Sequence, residues 1–451
     1  MIRTHFESLY PPNSWFETIK KLLVFAKEGN SSQLIALPGV GRATVLKLLS
    51  YNTPLRKHHL KEQNTWFHFV HVDFLEIKEK PLPEVIKFLF LSLINSLKER
   101  DLTKEYQKTY SLFKDSLATN DELVLFDGLK HTLDFLCLEK QLTVVFLFDK
   151  FEMHIKSLSE DLFSKLAILR SRAKYRFSVV FSLDRPLEDY FDPSFFGNFY
   201  PTLAGHKIYL PVTDSPSIEF RIGYIEKATG KTLPPATKNK LLELTGGHAN
   251  YTRIAVEELC GNSESRIQSS ELLEFLLSNK AIRSVSYEIW ETLTAEEQKL
   301  LISIIHNSSF IIQEVDSKTT SYLYNTGLLK NAKIAIPLFE DFVKFRAQQK
   351  TTEKIFLDSK TQAIKKGEFV ISDNLTSLEF KLLCFLIASE EIIVSRDEII
   401  QGVWKDTQTT AGVSEEALDQ LIFRLRRKIE DDPNNPIHIQ TIKGRGFRFT
   451  S

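Results

Sequence analysis

An excess of charge of either sign is what these 451 residues most plainly lack: 58 Lys and Arg stand against 58 Asp and Glu. No overall imbalance draws the chain to nucleic acid or to a membrane surface, so any cationic surface must be local. Cysteine is scarce too. Cys137, Cys260 and Cys384 lie far apart, each inside a mostly apolar helical stretch, and none has the spacing of a zinc site. They read as small buried hydrophobes in a reducing cytosol. No uninterrupted apolar run reaches the roughly 18 residues of a membrane span. The opening MIRTHFESLYPPNSWF has no signal-peptide apolar core. These absences predict a cytoplasmic protein with no membrane partner.

What is present is ordinary globular material, 43% hydrophobic and 26% charged, long enough for about three domains. Residues 16–29 have the pattern of an amphipathic helix ending at Gly29. An apolar strand follows at Leu34–Leu37, then Pro38-Gly39-Val40-Gly41, then a helical run from Thr44 to Leu49. Further strands are expected at Trp66–Val72, Leu142–Phe148, Ser178–Leu183 and Lys207–Val212, with long helices over 82–138 and another over 161–174. Apolar strands alternating with helices argue for a parallel sheet covered on both faces. From 216 to 280 the pattern is helical, interrupted by Gly246-Gly247.

After 284 the style changes to short helices and β-rich turns. LTAEEQKLL from Leu293 is echoed by LTSLEFKLL from Leu375. In each, Thr and Glu three apart fit a capping box: Thr294 with Glu297, Thr376 with Glu379. The stretches after them fit two consecutive winged-helix units, at about 285–350 and 353–451. In the first, Trp290, Leu300, Leu301, Ile304 and Ile305 are core candidates, and Gly327–Phe339 has the look of a short wing.

A phosphate loop needs glycines whose amides cradle phosphates at a helix N-terminus, a lysine for charge and a hydroxyl for magnesium. Gly39 and Gly41 are in place, but the first glycine is Ala36, the lysine is Arg42 and the hydroxyl position is Ala43. Thr44 comes one residue late, about 100° further round the helix. With Val144–Asp149 as an acidic strand, residues 16–280 resemble the AAA+ and STAND class of P-loop ATPases, including a lid-like Gly246-Gly247-His248 element. The resemblance implies a magnesium-organising role for Asp149 and a polar sensor at Ser182. Lys150 stands where the water-activating glutamate is expected, with Glu152 beyond it. No Arg or Lys lies between Pro186 and His206, where an arginine finger would fall, and Ala249 replaces the usual proline after Gly-Gly-His. Phosphoryl transfer depends almost wholly on positioning and charge neutralisation, and Arg42 is not equivalent to lysine. These departures argue against turnover. They leave ATP or ADP bound without hydrolysis, or a structural relic.

The C-terminal hundred residues carry the most specific signal. A small sheet is expected from Lys354–Leu357 and Glu368–Ile371, a helix from Thr376 to Ala388, and a second helix from Ser395, boxed by Glu398. A third runs from Glu415 to Ile429, with Ser414 as its cap. There Leu418, Leu421, Ile422, Leu425 and Ile429 repeat at helical spacing and face a core, with Glu416, Gln420, Phe423, Arg424 and Arg427 opposite. A strand at Ile437–Ile442, the turn Lys443-Gly444-Arg445-Gly446 and a return at Phe447–Phe449 complete a wing. The strings LTSLEFKLL, SRDEIIQGVW, ALDQLIFRLRRKIEDDP and IQTIKGRGFRF are similar, element by element, to the OmpR/PhoB-type effector domain. That resemblance implies a third helix in the major groove and a hairpin wing on the backbone or minor groove. It makes Gln420, Arg424 and Arg427 candidates for base or backbone contact, and Lys428, Lys443, Arg445 and Arg448 candidates for phosphate contact. Against it, 353–451 holds 14 Lys and Arg against 16 Asp and Glu, a net charge of −2, and phosphate neutralisation supplies most non-specific affinity. The competing assignment is a solvated face in which Arg424, Arg426, Arg427 and Lys428 pair with Glu430, Asp431 and Asp432.

The expected fold class is α/β: an AAA+-like parallel-sheet P-loop domain over 1–215 with a helical lid over 216–284, followed by two winged helix-turn-helix units, a coupling module at 285–350 and the DNA-binding domain at 353–451. The expected function is a bacterial-type transcriptional regulator bound to double-stranded DNA, with an inactive ATPase-like sensory or scaffold domain. Alternatives are a pseudo-ATPase adaptor whose winged helices bind protein, and a working STAND-type regulatory ATPase; other proteins or a second copy of the chain are further partner candidates.

Overall fold

The computed structural model describes residues 5–118, 121–261, 271–306, 317–359, 361–367, 369–404, 415–430, 433 and 436–451. Two compact units, Met1–Phe342 and Val343–Ser451, make up the chain.

The first unit is built on β1 (Ser32–Ile35), β2 (Phe67–Asp73), β3 (Thr143–Asp149), β4 (Phe177–Leu183) and β5 (Lys207–Tyr209), in the order β2-β3-β4-β1-β5. Every adjacent pair is parallel. Strands covered on both faces need no polar alternation, which is why β4 is buried at all its positions. Phe148, Phe163, Phe181 and Phe196 lie among the largest fully buried side chains. They meet edge to face, with centroids 5.4 Å apart for Phe148–Phe181 and 4.8 Å for Phe163–Phe196, the arrangement ring quadrupoles favour. This is the helix-covered parallel sheet that the sequence predicts, with the glycine loop following β1.

Several element ends differ from the sequence expectation. The strand expected at 34–37 spans 32–35; the Ala36 amide still donates to Leu183, and the turn begins at Pro38, which has no amide to continue the ladder. The helical stretch 82–138 is broken into Leu82–Glu99, Thr103–Leu117 and Glu122–Leu133. Asp101, in the left-handed region at φ 56°, makes the first break. Lid helices run over Ser215–Thr229, Pro235–Thr245, Ala249–Gly261 and Leu272–Ser278. Cys137 and Cys260 are buried as expected, whereas Cys384 is only half-buried.

Next come helices Lys280–Glu291, Ala295–His306 and Ser317–Asn325, and an antiparallel hairpin of β6 (Leu329–Lys330) and β7 (Lys333–Ile334). Trp290, Leu300 and Leu301 are buried. Ile304 and Ile305, in the last turn of their helix, are only half-buried. One residue ties this segment to the sheet. Arg185, two positions past β4, donates Nη1 and Nη2 to the two carboxylate oxygens of Glu297 at 2.9 and 3.1 Å. Its guanidinium lies 4.1 Å from the centroid of the Tyr322 ring, whose hydroxyl donates to the Asp184 carbonyl. Glu297 also closes the expected capping box with Thr294.

In the second unit, β8 (Ile355–Leu357), β9 (Ile364–Lys366) and β10 (Phe369–Val370) form one antiparallel sheet. Then come helix Ser377–Ala388, β11 (Ile393–Val394), helices Arg396–Val403 and Glu415–Ile429, and a hairpin of β12 (Ile439–Ile442) and β13 (Gly446–Phe449). Both expected capping boxes are present, and the five apolar positions of Glu415–Ile429 are buried. β9 and β11 escaped the sequence pattern because two or three residues cannot display a period. Gly446 is required where it stands: at φ 130°, a Cβ would meet the Val394 carbonyl oxygen at 2.0 Å. Glu368, Ser414, Asp431 and Asp432, all assigned roles from sequence, lie outside the described residues. No helix among the described residues is long and apolar enough to cross a membrane.

Removing one partner of a buried ion pair strands the other charge away from water. Arg185→Ala is therefore expected to lower stability by roughly 3 kcal/mol in urea denaturation. Arg185→Lys, which cannot form the two-pronged contact, should recover only part of that. A loss below about 1 kcal/mol would mean the pair is as weak as a surface contact.

Candidate nucleic-acid interface and phosphate loop

In open parallel sheets, ligand sites lie beyond the carboxyl ends of the strands. There β1 runs through Gly39 (φ 77°) and Gly41 (φ 127°) into helix Arg42–Tyr51. A cavity of about 280 Å³ opens beside this loop, lined by Gly39, Gly41, Arg42, Thr44 and Asp149 from the sequence-expected set. Thr44 borders it despite its late position. Glu152 and Ser182 do not line it; Ser182 is buried within β4, in register with Leu34. Sequence reasoning missed Arg221, Asn250 and Arg253, which reach the cavity from the lid. They lie about 200 residues from the loop, with no motif to announce them.

Charges at the strand ends are matched within the protein. Register places Asp73 opposite Asp149, two carboxylates that would repel if left alone. Lys150 Nζ donates to Asp73 at 2.9 Å, and His71 Nε2 lies 3.3 Å from Asp149 Oδ2. Burial alone would raise the Asp149 carboxyl, but the His71 contact, helped by Lys150 and Arg42, holds it below its ordinary value. Arg42, in the lysine position, turns to Glu152 at 2.8 Å, both side chains 13% exposed. Burial pushes the Glu152 carboxyl above its usual range, with Arg42 opposing. The residue nearest to a catalytic base thus serves as the partner of the loop's own cation.

The lid is fastened to the loop. His248 Nε2 lies 2.8 Å from the Pro38 carbonyl oxygen and donates to it, and the Asn250 amide donates to the Gly39 carbonyl at 3.1 Å. A Cβ on Gly39 would come within 2.9 Å of both His248 and Asn250. His248 is fully buried, and burial lowers its pKa to about 4.

In the second unit, Gln420, Arg424 and Arg427 project from the outer face of helix Glu415–Ile429, and Lys443 and Arg445 sit on the hairpin turn; all five are exposed. Arg424 comes no nearer than 4.0 Å to Glu379. Arg427, Lys443 and Arg445 have no ion-pair partner among the described residues. Two other candidates are engaged. Lys428 Nζ donates to Glu379 at 2.6 Å and to the Asn374 carbonyl, and Arg448 Nη2 donates to Gln440 at 2.6 Å. Arg426 is no solvated surface residue, since it donates to the Ile439 carbonyl and Thr441 hydroxyl and pins the helix to β12.

The acidic neighbours are also spoken for. Glu430 accepts the amides of Ile437, His438 and Ile439 instead of pairing with the helix arginines. Asp419 holds Arg396 at 2.8 Å, with Glu415 at 3.7 Å. The net charge of −2 therefore overstates the negative field at the outer helix face.

Residues 373–449 match the family described as "Transcriptional regulatory protein, C terminal". Over 91 residues the chain is 42% identical to the probable transcriptional regulator ycf27 of Porphyridium aerugineum, covering 20% of this chain and 36% of that one. It is 37% identical over 76 residues to the sensory transduction protein RegX3 of Mycolicibacterium smegmatis, covering 16% and 30%. The match thus spans only about a third of these relatives' length. Among solved structures, the chain is similar to the Walker-type ATPase of Pyrococcus abyssi at 16% identity and TM-score 0.48, covering 76% of this chain and 98% of that one. It is also similar to the ORC1 protein of Aeropyrum pernix in complex with DNA, at 13% identity and TM-score 0.36, covering 76% and 84%. Neither likeness bears on activity. The C-terminal segment is an OmpR/PhoB-type domain.

The buried His248 has a consequence for stability. Unfolded, the ring takes up a proton near its ordinary value of 6.5; folded, it resists until about 4. Between these values the unfolded chain binds the extra proton, so this contribution is complete above pH 6.5 and is lost as pH falls through that window. The loss is on the order of 3 kcal/mol for this ring. His68, whose pKa burial also lowers, adds to the same window. Urea unfolding at pH 7 and pH 4.5 should show a smaller acid loss for His248→Gln than for the parent; equal losses would overturn the assignment.

Proposed function

We propose that the chain is a DNA-binding transcriptional regulator whose helix Glu415–Ile429 enters the major groove of duplex DNA while the β12–β13 hairpin lies along the backbone. The observation that carries this reading is the exposed Gln420, Arg424 and Arg427 on one face of that helix within an OmpR/PhoB-type domain. Guanidinium groups grip guanine edges and phosphates, and glutamine pairs with adenine. Lys443 and Arg445 supply phosphate contact. Lys428 and Arg448 hold the helix and the hairpin in place and contribute to the interface through that positioning.

We further propose that the phosphate-loop cavity holds ATP or ADP without hydrolysing it. The loop glycines, the opening amides of helix Arg42–Tyr51 and the lid cations Arg221 and Arg253 suit a phosphate chain. A magnesium ion fits poorly: position 43 offers no hydroxyl, and Asp149 is engaged by His71 and the Lys150 amide. The first unit then acts as a sensor or scaffold, and the segment after residue 284 as its coupling module.

Two measurements test these assignments. In a salt-titrated binding assay with the full chain, affinity for duplex DNA should fall steeply as salt rises. Arg424→Ala should bind about tenfold or more weakly, and absence of duplex binding at moderate salt removes the DNA reading. Radiolabelled ATP should be retained in equilibrium dialysis with no phosphate release; release that Asp149→Ala abolishes would make the protein a working ATPase.

A further inference from the structure

The face of helix Glu415–Ile429 that carries the exposed arginines also carries an aromatic ring. Leu418, Leu421, Ile422, Leu425 and Ile429 form the buried stripe, so packing does not require an apolar residue at 423. Phe423 nevertheless stands 55% exposed. At 3.6 residues per turn, Gln420, Phe423, Arg424 and Arg427 fall three, four and seven positions apart on one outer stripe. The ring makes no aromatic contact among the described residues. An isolated apolar residue on a surface is common. An apolar ring flanked on its own stripe by an amide and two exposed guanidinium groups, Arg427 without a described carboxylate partner and Arg424 4.0 Å from Glu379, is a more specific surface.

We propose that Phe423 is a specificity-determining residue that contacts thymine methyl groups in the major groove. The proposal rests on the DNA-binding reading above and deepens it. Among the four bases, only thymine presents a methyl group in that groove, and an apolar side chain is the group that can read it. Gln420 offers a donor and acceptor suited to adenine, and Arg424 and Arg427 offer forks suited to guanine or phosphate, so one stripe holds complements to different base edges. Charge complementarity favours DNA over protein as occupant. An apolar groove that accepted the ring would have to bury Arg424 and Arg427 beside it, whereas the phosphates flanking a major groove neutralise them.

The test uses the full chain and a duplex obtained by selection from a random library. Each thymine of the selected site is replaced in turn by deoxyuridine, which removes the methyl and leaves the pairing intact. The parent chain should lose about fourfold in affinity for each methyl it contacts, the value of one buried carbon. Phe423→Ala should bind the thymine duplex about fourfold more weakly and be indifferent to deoxyuridine at those positions. Phe423→Leu should keep part of the discrimination. Arg424→Ala should weaken binding yet remain sensitive to deoxyuridine. A parent chain indifferent to deoxyuridine everywhere overturns the proposal, and so does a Phe423→Ala variant as sensitive as the parent. In both cases duplex binding survives, which separates this failure from failure of the DNA reading, where no duplex is selected at all. If Phe423→Ala binds DNA like the parent but loses a protein partner or self-association, the ring serves protein and the proposal falls.

Discussion

A charge withdrawn from water must find its opposite or a set of hydrogen bonds within reach, and this requirement governs both sites in the chain. At the sheet's carboxyl edge it joins Asp73 to Lys150, Asp149 to His71 and Arg42 to Glu152. In the second unit it joins Glu379 to Lys428, Asp419 to Arg396, and Glu430 to three backbone amides. The same rule has opposite consequences in the two places. At the phosphate loop it pairs the charged side chains with one another. On helix Glu415–Ile429 it consumes the carboxylates and leaves Arg424, Arg427 and the hairpin-turn cations turned outward.

The phosphate loop keeps its turn although Arg42 and Ala43 stand at the lysine and hydroxyl positions. The glycines keep their left-handed conformations because the turn from β1 into the helix needs them, whatever is bound. Arg42 keeps a positive charge beside the loop, but its guanidinium is satisfied by Glu152. His248 and Asn250 hold two loop carbonyls from the lid side. That clamp contributes to structure with or without a ligand. A similar economy operates at Arg185, where one side chain joins the end of β4 to a capping box more than a hundred residues away.

Much of this was legible in the residues alone. The alternation of apolar strands and helices gave the parallel sheet, because a buried strand such as Thr143–Asp149 leaves a continuous apolar run from Val144 to Phe148. The capping boxes at Thr294, Thr376 and Ser395 were readable because a hydroxyl and a carboxylate three positions apart act within a single helical turn. The buried stripe of Glu415–Ile429 followed from helical period. Short strands such as Ile364–Lys366 and Ile393–Val394 were not readable, since they are held by neighbours and show no period of their own.

Local chemistry, then, belonged to the sequence: loop glycines, capping boxes, the outward set on helix Glu415–Ile429, and the missing lysine and hydroxyl at Arg42 and Ala43. These features depend on residues within one or two turns of each other, where spacing dictates geometry. Which charges would be free was decided only by the tertiary structure. Arg427 and Lys428 are adjacent and look alike in the sequence, yet Lys428 meets Glu379 and Arg427 meets no described carboxylate. Glu430, expected to pair with those arginines, accepts amides from the start of the wing. The lid cations Arg221 and Arg253 came to the cavity by the same route. Ion pairing acts through space over a few ångströms, and only the folded chain sets those distances.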